Sequence, residues 1–195
     1  MPKVGMEPIR REALVLATIA EVGAAGSLDV TVSQIAKRAG VSSALAHHYF
    51  GGKDQIFLAA MRHILTAYGR EVRAALHGKT DPRARLEAII RASFTDAQFG
   101  PEVISAWLNF YVKAQQSPEA ARLLRLYHRR LHSNLLHDLR PLTGRNADEI
   151  ARSIAALIDG VYIRQALSGA PMASEAAAEM VLGVLRPALA RGALQ

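Results

Sequence analysis

The chain has 195 residues, 50% of them apolar and none of them cysteine, with a formal charge of +7 and an isoelectric point near 10.1. A chain of this size buries a core without covalent or metal staples, and the lack of thiols excludes a disulfide framework, a thiolate zinc site and a cysteine nucleophile. Its longest apolar stretch, Ala13 to Ala20, falls far below the ~20 residues that span a bilayer, and MPKVGMEPIRREAL lacks a secretory layout, so a soluble cytoplasmic protein with no membrane partner is expected.

In chain order, Pro8 suits a first helical turn, and Ile9, Ala13, Leu14, Ala17, Ile19 and Ala20 predict an apolar helix ending near Gly23 to Gly26. Arg10 and Arg11 project from its first turn, where cations oppose the helix dipole. They either grip phosphates or form a solvated pair balanced by Glu7 and Glu12. Thr31, with Gln34 three residues on, forms a capping box that starts a short helix at Val32. Ile35 and Ala36 face inward there, Lys37 and Arg38 stay solvated, and Gly40 closes the helix in a left-handed conformation. Ser42 caps a second helix, Ser43 to Phe50, with Leu45 and Phe50 for burial and Ser43, Ala44, His47 and His48 outside. Gly51 and Gly52 end it. Two short helices joined by a glycine-containing turn form the helix-turn-helix pattern, whose second helix enters the major groove of DNA. The same spacing also fits a plain corner in a helical bundle.

Lys53 and Asp54 open a long helix to about Leu76. Asp81-Pro82 starts another, with Leu86, Ile89, Ile90, Ser93, Phe94 and Ala97 as one apolar stripe. After Phe99-Gly100-Pro101 comes a helix holding Trp107, Phe110 and Tyr111. Ser117-Pro118-Glu119 then begins a helix that runs to about Leu139, before Pro141. Asn146 with Glu149 predicts a capping box for an apolar helix, Ile150 to Leu167, stopped by Gly169 and Pro171. Ser174 caps a final helix ending near Gly192, with Pro187 as a late kink. The pattern predicts an all-α fold of about nine helices. A three-helix N-terminal domain, residues 1–52, would precede a helical ligand-binding and dimerisation domain, residues 53–195. Ala155, Ala156, Gly160, Ala176, Ala177, Ala178 and Gly183 permit close helix approach, either within one chain or in a two-fold four-helix interface.

The basic excess favours a polyanionic partner but is not concentrated near the helix pair, where Lys3, Arg10, Arg11, Lys37, Arg38 and Lys53 face Glu7, Glu12, Glu21 and Asp29. His128 and His132 stand four apart on one helix, with His137 beyond. Arg129 and Arg130 intervene where a metal-site glutamate would sit, so a solvated or dimer-facing pair is expected and no metal. No phosphate-cradling glycine loop and no nucleophile elbow occurs, which argues against an enzyme. A helical small-molecule carrier is the rival class.

Thr31, Ile35, Ala36, Ala39-Gly40-Val41-Ser42, His48-Tyr49-Phe50 and Lys53 together resemble the signature of TetR-family repressors. Further phrases resemble the BetI branch of that family. They are Met1-Pro2-Lys3, Gly5-Met6, Ile9-Arg10-Arg11, Ala60-Met61-Arg62, Ala106-Trp107-Leu108, Ser133-Asn134-Leu135, Ala156 to Gly160 and Ala166 to Gly169. The resemblance implies a homodimer on a palindromic double-stranded operator, repressing genes that convert choline to glycine betaine. It also implies a small-molecule effector, choline, bound in the C-terminal domain, and no cofactor. Carried over by position, Thr31, Ser42, Ser43, His48, Tyr49 and Lys53 would contact phosphates, with Ala44, Leu45 and His47 nearest base edges. His47 would donate to a guanine acceptor or a phosphate. The reading helix departs from the branch, carrying Ala44-Leu45-Ala46-His47 where the branch has a sequence closer to Gly-Ile-Ile-Ser. A quaternary ammonium cannot donate an N–H bond, so aromatic faces and a carboxylate must hold it. Trp107, Phe110, Tyr111, Asp159 and Tyr162 are the candidates for such a cage, or else ordinary core; Trp107 with Tyr111, and Asp159 with Tyr162, are same-face neighbours.

Overall fold

A computed structural model describes residues 5–168 and 170–192; the resemblance at Met1 to Lys3 and the stop at Gly169 lie outside the described residues. Among the described residues are nine α-helices: α1 (Met6–Ala25), α2 (Val32–Arg38), α3 (Ser43–Phe50), α4 (Lys53–Leu76), α5 (Pro82–Ala92), α6 (Pro101–Ala114), α7 (Pro118–Thr143), α8 (Ala147–Leu167) and α9 (Ser174–Gly192). A 3-10 turn, Gly144–Asn146, precedes α8, and no strand occurs among these residues. α1 to α3 form the N-terminal unit. α4 leaves it and packs on α1 and α5, while α5 to α9 enclose the rest of the core. Buried side chains form one contiguous cluster from Leu14, Ile35 and Ala46 through Trp107 and Phe110 to Leu185, so no polar layer separates the two ends.

The helix starts follow local chemistry. Thr31 accepts from the Gln34 amide while the Gln34 side chain accepts from the Thr31 amide, and Ser42, Asp81 and Ser117 each cap the next helix. Four expectations differ. α5 stops at Ala92, where Ser93 turns its hydroxyl back to the Ile89 carbonyl, and Ala97 is exposed. α7 continues through Pro141 to Thr143, because the ring sits on an exposed face where the orphaned His137 carbonyl stays near water. The 3-10 turn feeds directly into α8, so Asn146 adopts helical backbone angles and makes no side-chain cap. The Ser174 hydroxyl donates to Asp96 at 2.6 Å, tying α9 to the loop after α5. In α3, the fully buried side chain is Ala46, and Leu45 and Phe50 are half-buried.

α1 and α6 meet at unusually short range. A Cβ on Gly23 would lie 2.7 Å from the Glu102 Cα, so only hydrogen fits between the two backbones. Ser105 Oγ donates to the Val22 carbonyl at 3.3 Å, and Asn109 Nδ2 donates to that of Gly26 at 3.3 Å. Gly23→Ala is expected to force the helices apart and lower stability by about 1–3 kcal/mol despite its better helix propensity. Urea unfolding measures this; a variant as stable as the parent would refute the contact.

Candidate functional site

The first candidate site is the outer face of α2 and α3. Arg10, Thr31, Ser42, Ala44, His47, His48 and Lys53 are exposed, while Arg11, Ser43, Leu45 and Tyr49 are half-buried. Several polar groups already have partners. Arg11 Nη1 donates to the Tyr49 carbonyl at 2.8 Å, and its guanidinium lies 4.5 Å from the Phe50 ring centre, so Arg11 fastens α1 to the end of α3. Lys53 Nζ donates to the Leu28 carbonyl at 2.9 Å and fastens α4 to the loop before α2. The Thr31 hydroxyl both accepts from and donates to Gln34. Ser42 Oγ only accepts, from the Leu45 amide, and its O–H stays available outward.

His47 Nδ1 lies 3.2 Å from the Gly51 carbonyl. A carbonyl can only accept, so Nδ1 is the donor in this contact; Nε2 is then an acceptor in a neutral ring and a second donor in a protonated one.

The second candidate site lies in the C-terminal core. Trp107 and Tyr111 from α6, Tyr127 from α7, Tyr68 from α4 and Tyr162 from α8 surround a small void with Ser93 and Gln98. Trp107 stands 4.7 Å from Tyr127, 5.8 Å from Tyr111 and 6.2 Å from Tyr162, centre to centre. Asp159 supplies the carboxylate at one edge: its Oδ1 accepts from the hydroxyls of Tyr111 and Tyr127, each at 3.1 Å, and its Oδ2 lies 3.1 Å from His128 Nε2. Tyr162, Asp159's neighbour on α8, donates instead to the Ser93 and Gln98 carbonyls. Phe110 also falls outside the void; it is fully buried behind Trp107, edge-on to Phe57.

Burial holds these phenols protonated. It pushes Tyr68 up to about 12 and raises Tyr111, Tyr127 and Tyr162 well above the usual phenol value, with the Asp159 carboxylate adding to each. Neutral ring faces around a partly exposed carboxylate make a negative, largely dry pocket that suits a cation without N–H groups. The open space at its centre is about 10 Å³, room for one water, so a larger occupant must displace a ring. Tyr68 and Tyr127 have no sequence signal as cage members, because helical periodicity does not say which helices face each other. His128 and His132 both reach solvent and also meet acids of α8, His132 Nε2 lying 3.0 Å from Asp148. No group of metal-ligating side chains occurs among the described residues.

No helix among the described residues is long and apolar enough to cross a membrane. The faces of α8 and α9 turned from the core carry Ala156, Gly160, Ile163 and Leu167, and Ala176, Met180, Gly183 and Val184, at three- and four-residue spacing. Of the small residues, Ala177 and Ala178 are buried within the chain, whereas a Cβ on Gly160 or Gly183 would meet nothing.

Residues 82–190 match the BetI-type transcriptional repressor C-terminal family, and residues 14–60 match the tetR family of bacterial regulatory proteins. The chain is 57% identical over 180 residues to the HTH-type transcriptional regulator BetI of Brucella suis biovar 1 (strain 1330), covering 91% of each. It is 52% identical over 177 residues to BetI of Rhizobium meliloti (strain 1021), covering 90% of this chain and 87% of that one. Among solved structures, a transcriptional regulator from Pseudomonas aeruginosa PAO1 superposes with a TM-score of 0.79 at 25% identity, covering 94% of this chain and 91% of that one. A Saccharomonospora viridis regulator, solved in complex with choline, superposes with a TM-score of 0.83 at 21% identity, covering 92% and 97%. Helix-turn-helix geometry, end-to-end identity and the matched C-terminal family agree: the chain is a DNA-binding transcriptional regulator of the TetR family, of the BetI type.

Proposed function

We propose that the chain is a homodimeric cytoplasmic repressor, without enzymatic activity, that binds a palindromic operator of choline-to-glycine-betaine genes and responds to choline. The observation that carries the ligand is the four-helix cage of Tyr68, Trp107, Tyr111, Tyr127 and Tyr162 with Asp159 at its edge. Aromatic faces and one carboxylate match a trimethylammonium group in chemistry, and choline adds only a hydroxyl. The resemblance to BetI regulators favours the same ligand, and the fold holds choline in the Saccharomonospora viridis protein. Because the void is nearly closed, choline enters by moving a ring, and Tyr68 belongs to α4, which leads to the reading head.

On DNA, Ser42, Ser43, His48 and Tyr49 meet phosphates, as do Arg10 and the α4 end at Lys53. Ala44, Leu45 and the Nε2 acceptor of a neutral His47 ring face base edges, which favours an adenine or cytosine amino group opposite His47. Thr31 and Arg11 act by holding α2 and α3 in place. The outward strips of α8 and α9 pair with those of a second protomer in a four-helix bundle, which sets two reading heads one DNA turn apart. On this reading residues 1–52 read DNA and residues 53–195 bind ligand and dimerise.

Gel shift with a palindromic fragment from upstream of the chain's own gene tests this. Affinity is expected to fall by about 10³-fold or more between 50 and 200 mM salt, as counterions are released. No binding at any salt would leave a small-molecule carrier. Titrating choline and betaine aldehyde into the complex tests the effector; no response to either would leave a TetR-family repressor of another metabolite.

A further inference from the structure

A larger cavity, about 630 Å³, lies between α4 and α7 and shares Tyr68 and Tyr127 with the cage. That volume falls within the ~300–1,000 Å³ of typical ligand sites. Its walls are Leu65, Val72 and Leu76 on one side and Leu123 and Leu126 on the other; Leu126 is 40% exposed although it faces an apolar trough. The floor is deep because Gly69 stands mid-helix in α4, and a side chain there would meet only the Arg73 guanidinium, at 3.4 Å.

The charge is one-sided. Arg62, Arg73 and Arg130 line the cavity, no carboxylate does, and among the described residues none of these three guanidiniums has an ion pair or a side-chain hydrogen bond. The setting is the reverse of the cage, where Asp159 favours a cation. Arg62 and Arg73 are eleven residues apart on one helix, about 16 Å along its axis. These two cannot both hold one head group, and any one of the three guanidiniums can hold a small anion bidentately. The leucine trough beyond it takes a chain.

We infer that the α4–α7 groove is a binding site for a fatty carboxylate, with its hydrocarbon chain along the leucines and its carboxylate on one of the rim arginines. This goes beyond the choline reading and does not depend on it.

Calorimetric titration of the full-length protein with dodecanoate tests the assignment, with saturating choline present to block the cage. One dodecanoate per chain is expected, bound at least tenfold more tightly than dodecan-1-ol or dodecylamine. Arg73→Gln and Arg130→Gln together are expected to weaken dodecanoate about tenfold without changing dodecan-1-ol. Gly69→Leu, which fills the floor and improves helix propensity, is expected to abolish binding while leaving thermal stability equal or higher. Equal binding of the alcohol or amine, or full binding by Gly69→Leu, would overturn the site; tenfold tighter dodecyl phosphate would overturn the carboxylate assignment. Choline titration without dodecanoate reports separately on the cage.

Discussion

Trp107→Ala is expected to abolish choline-induced change in operator binding while leaving operator affinity in the absence of choline intact. Trp107 contacts Tyr111, Tyr127 and Tyr162 and is the hub of the cage. A desolvated cation–π contact contributes about 2 kcal/mol, so losing this face alone weakens choline about thirtyfold. Loss of the wall between the tyrosines adds to that. The indole is 4% exposed, and its removal also costs about 3–5 kcal/mol of folding stability. Two milder variants therefore accompany it. Trp107→Phe keeps an aromatic face and is expected to respond at higher choline. Asp159→Asn keeps the shape and both phenol contacts but removes the charge, and is expected to weaken choline at least tenfold. Trp107 is also the only tryptophan, so its emission in the parent protein reports choline directly. A folded Trp107→Ala protein with an unchanged choline response would remove this cage from consideration.

Arg85→Met is expected to lower folding stability by about 3 kcal/mol, or roughly 10 °C in melting temperature. Arg85 Nε donates to Asp138 Oδ1 at 2.7 Å and joins α5 to α7. The carboxylate is 4% exposed and its other oxygen has no partner among the described residues, so without Arg85 a buried anion keeps only the exposed His137 ring, 3.9 Å from Oδ1. The reverse change costs less. Arg85 is 24% exposed and also donates to the Lys79 carbonyl at 3.1 Å, so Asp138→Leu leaves a cation that still reaches water. The double variant is expected to recover most of the loss, because a packed apolar pair often matches a buried ion pair. Thermal unfolding of the three proteins distinguishes this from a simple packing role, which would make the two single changes similar.

Helix starts were the most legible part of the fold, because Thr31, Ser42, Asp81 and Ser117 act within four residues of themselves. Helix ends were less so. Pro141 read as a stop and Ser93 as part of a continuing helix, and both readings failed because neighbours in space, not local sequence, decide them. The outward face of α3 followed from the spacing of Ser42, Ala44 and His47, but not the engagement of Arg11 by Tyr49 and Phe50, which joins residues 38 apart. The cage was half legible. Trp107 and Tyr111 are same-helix neighbours, whereas Tyr68, Tyr127 and the displacement of Phe110 depend on how four helices rotate against each other. Asp159 was visible as a lone acid in an apolar helix, and its phenol partners were not.

The bare crossing of α1 and α6 at Gly23 also bears on signal transfer. Contacts made through long side chains absorb a small helix rotation by changing rotamer, and the displacement dies out within one layer. At Gly23 there is no such slack, since backbone rests on backbone. α6 carries Trp107 and Tyr111, so on the proposed function a ring pushed aside there would bear on α1 through this crossing. Through Arg11, α1 grips the end of the reading helix. On the proposed function, a ring displaced in the cage would therefore act on the DNA face through the α1–α6 crossing as well as through α4, so a small rotation there would alter the spacing of the two reading heads.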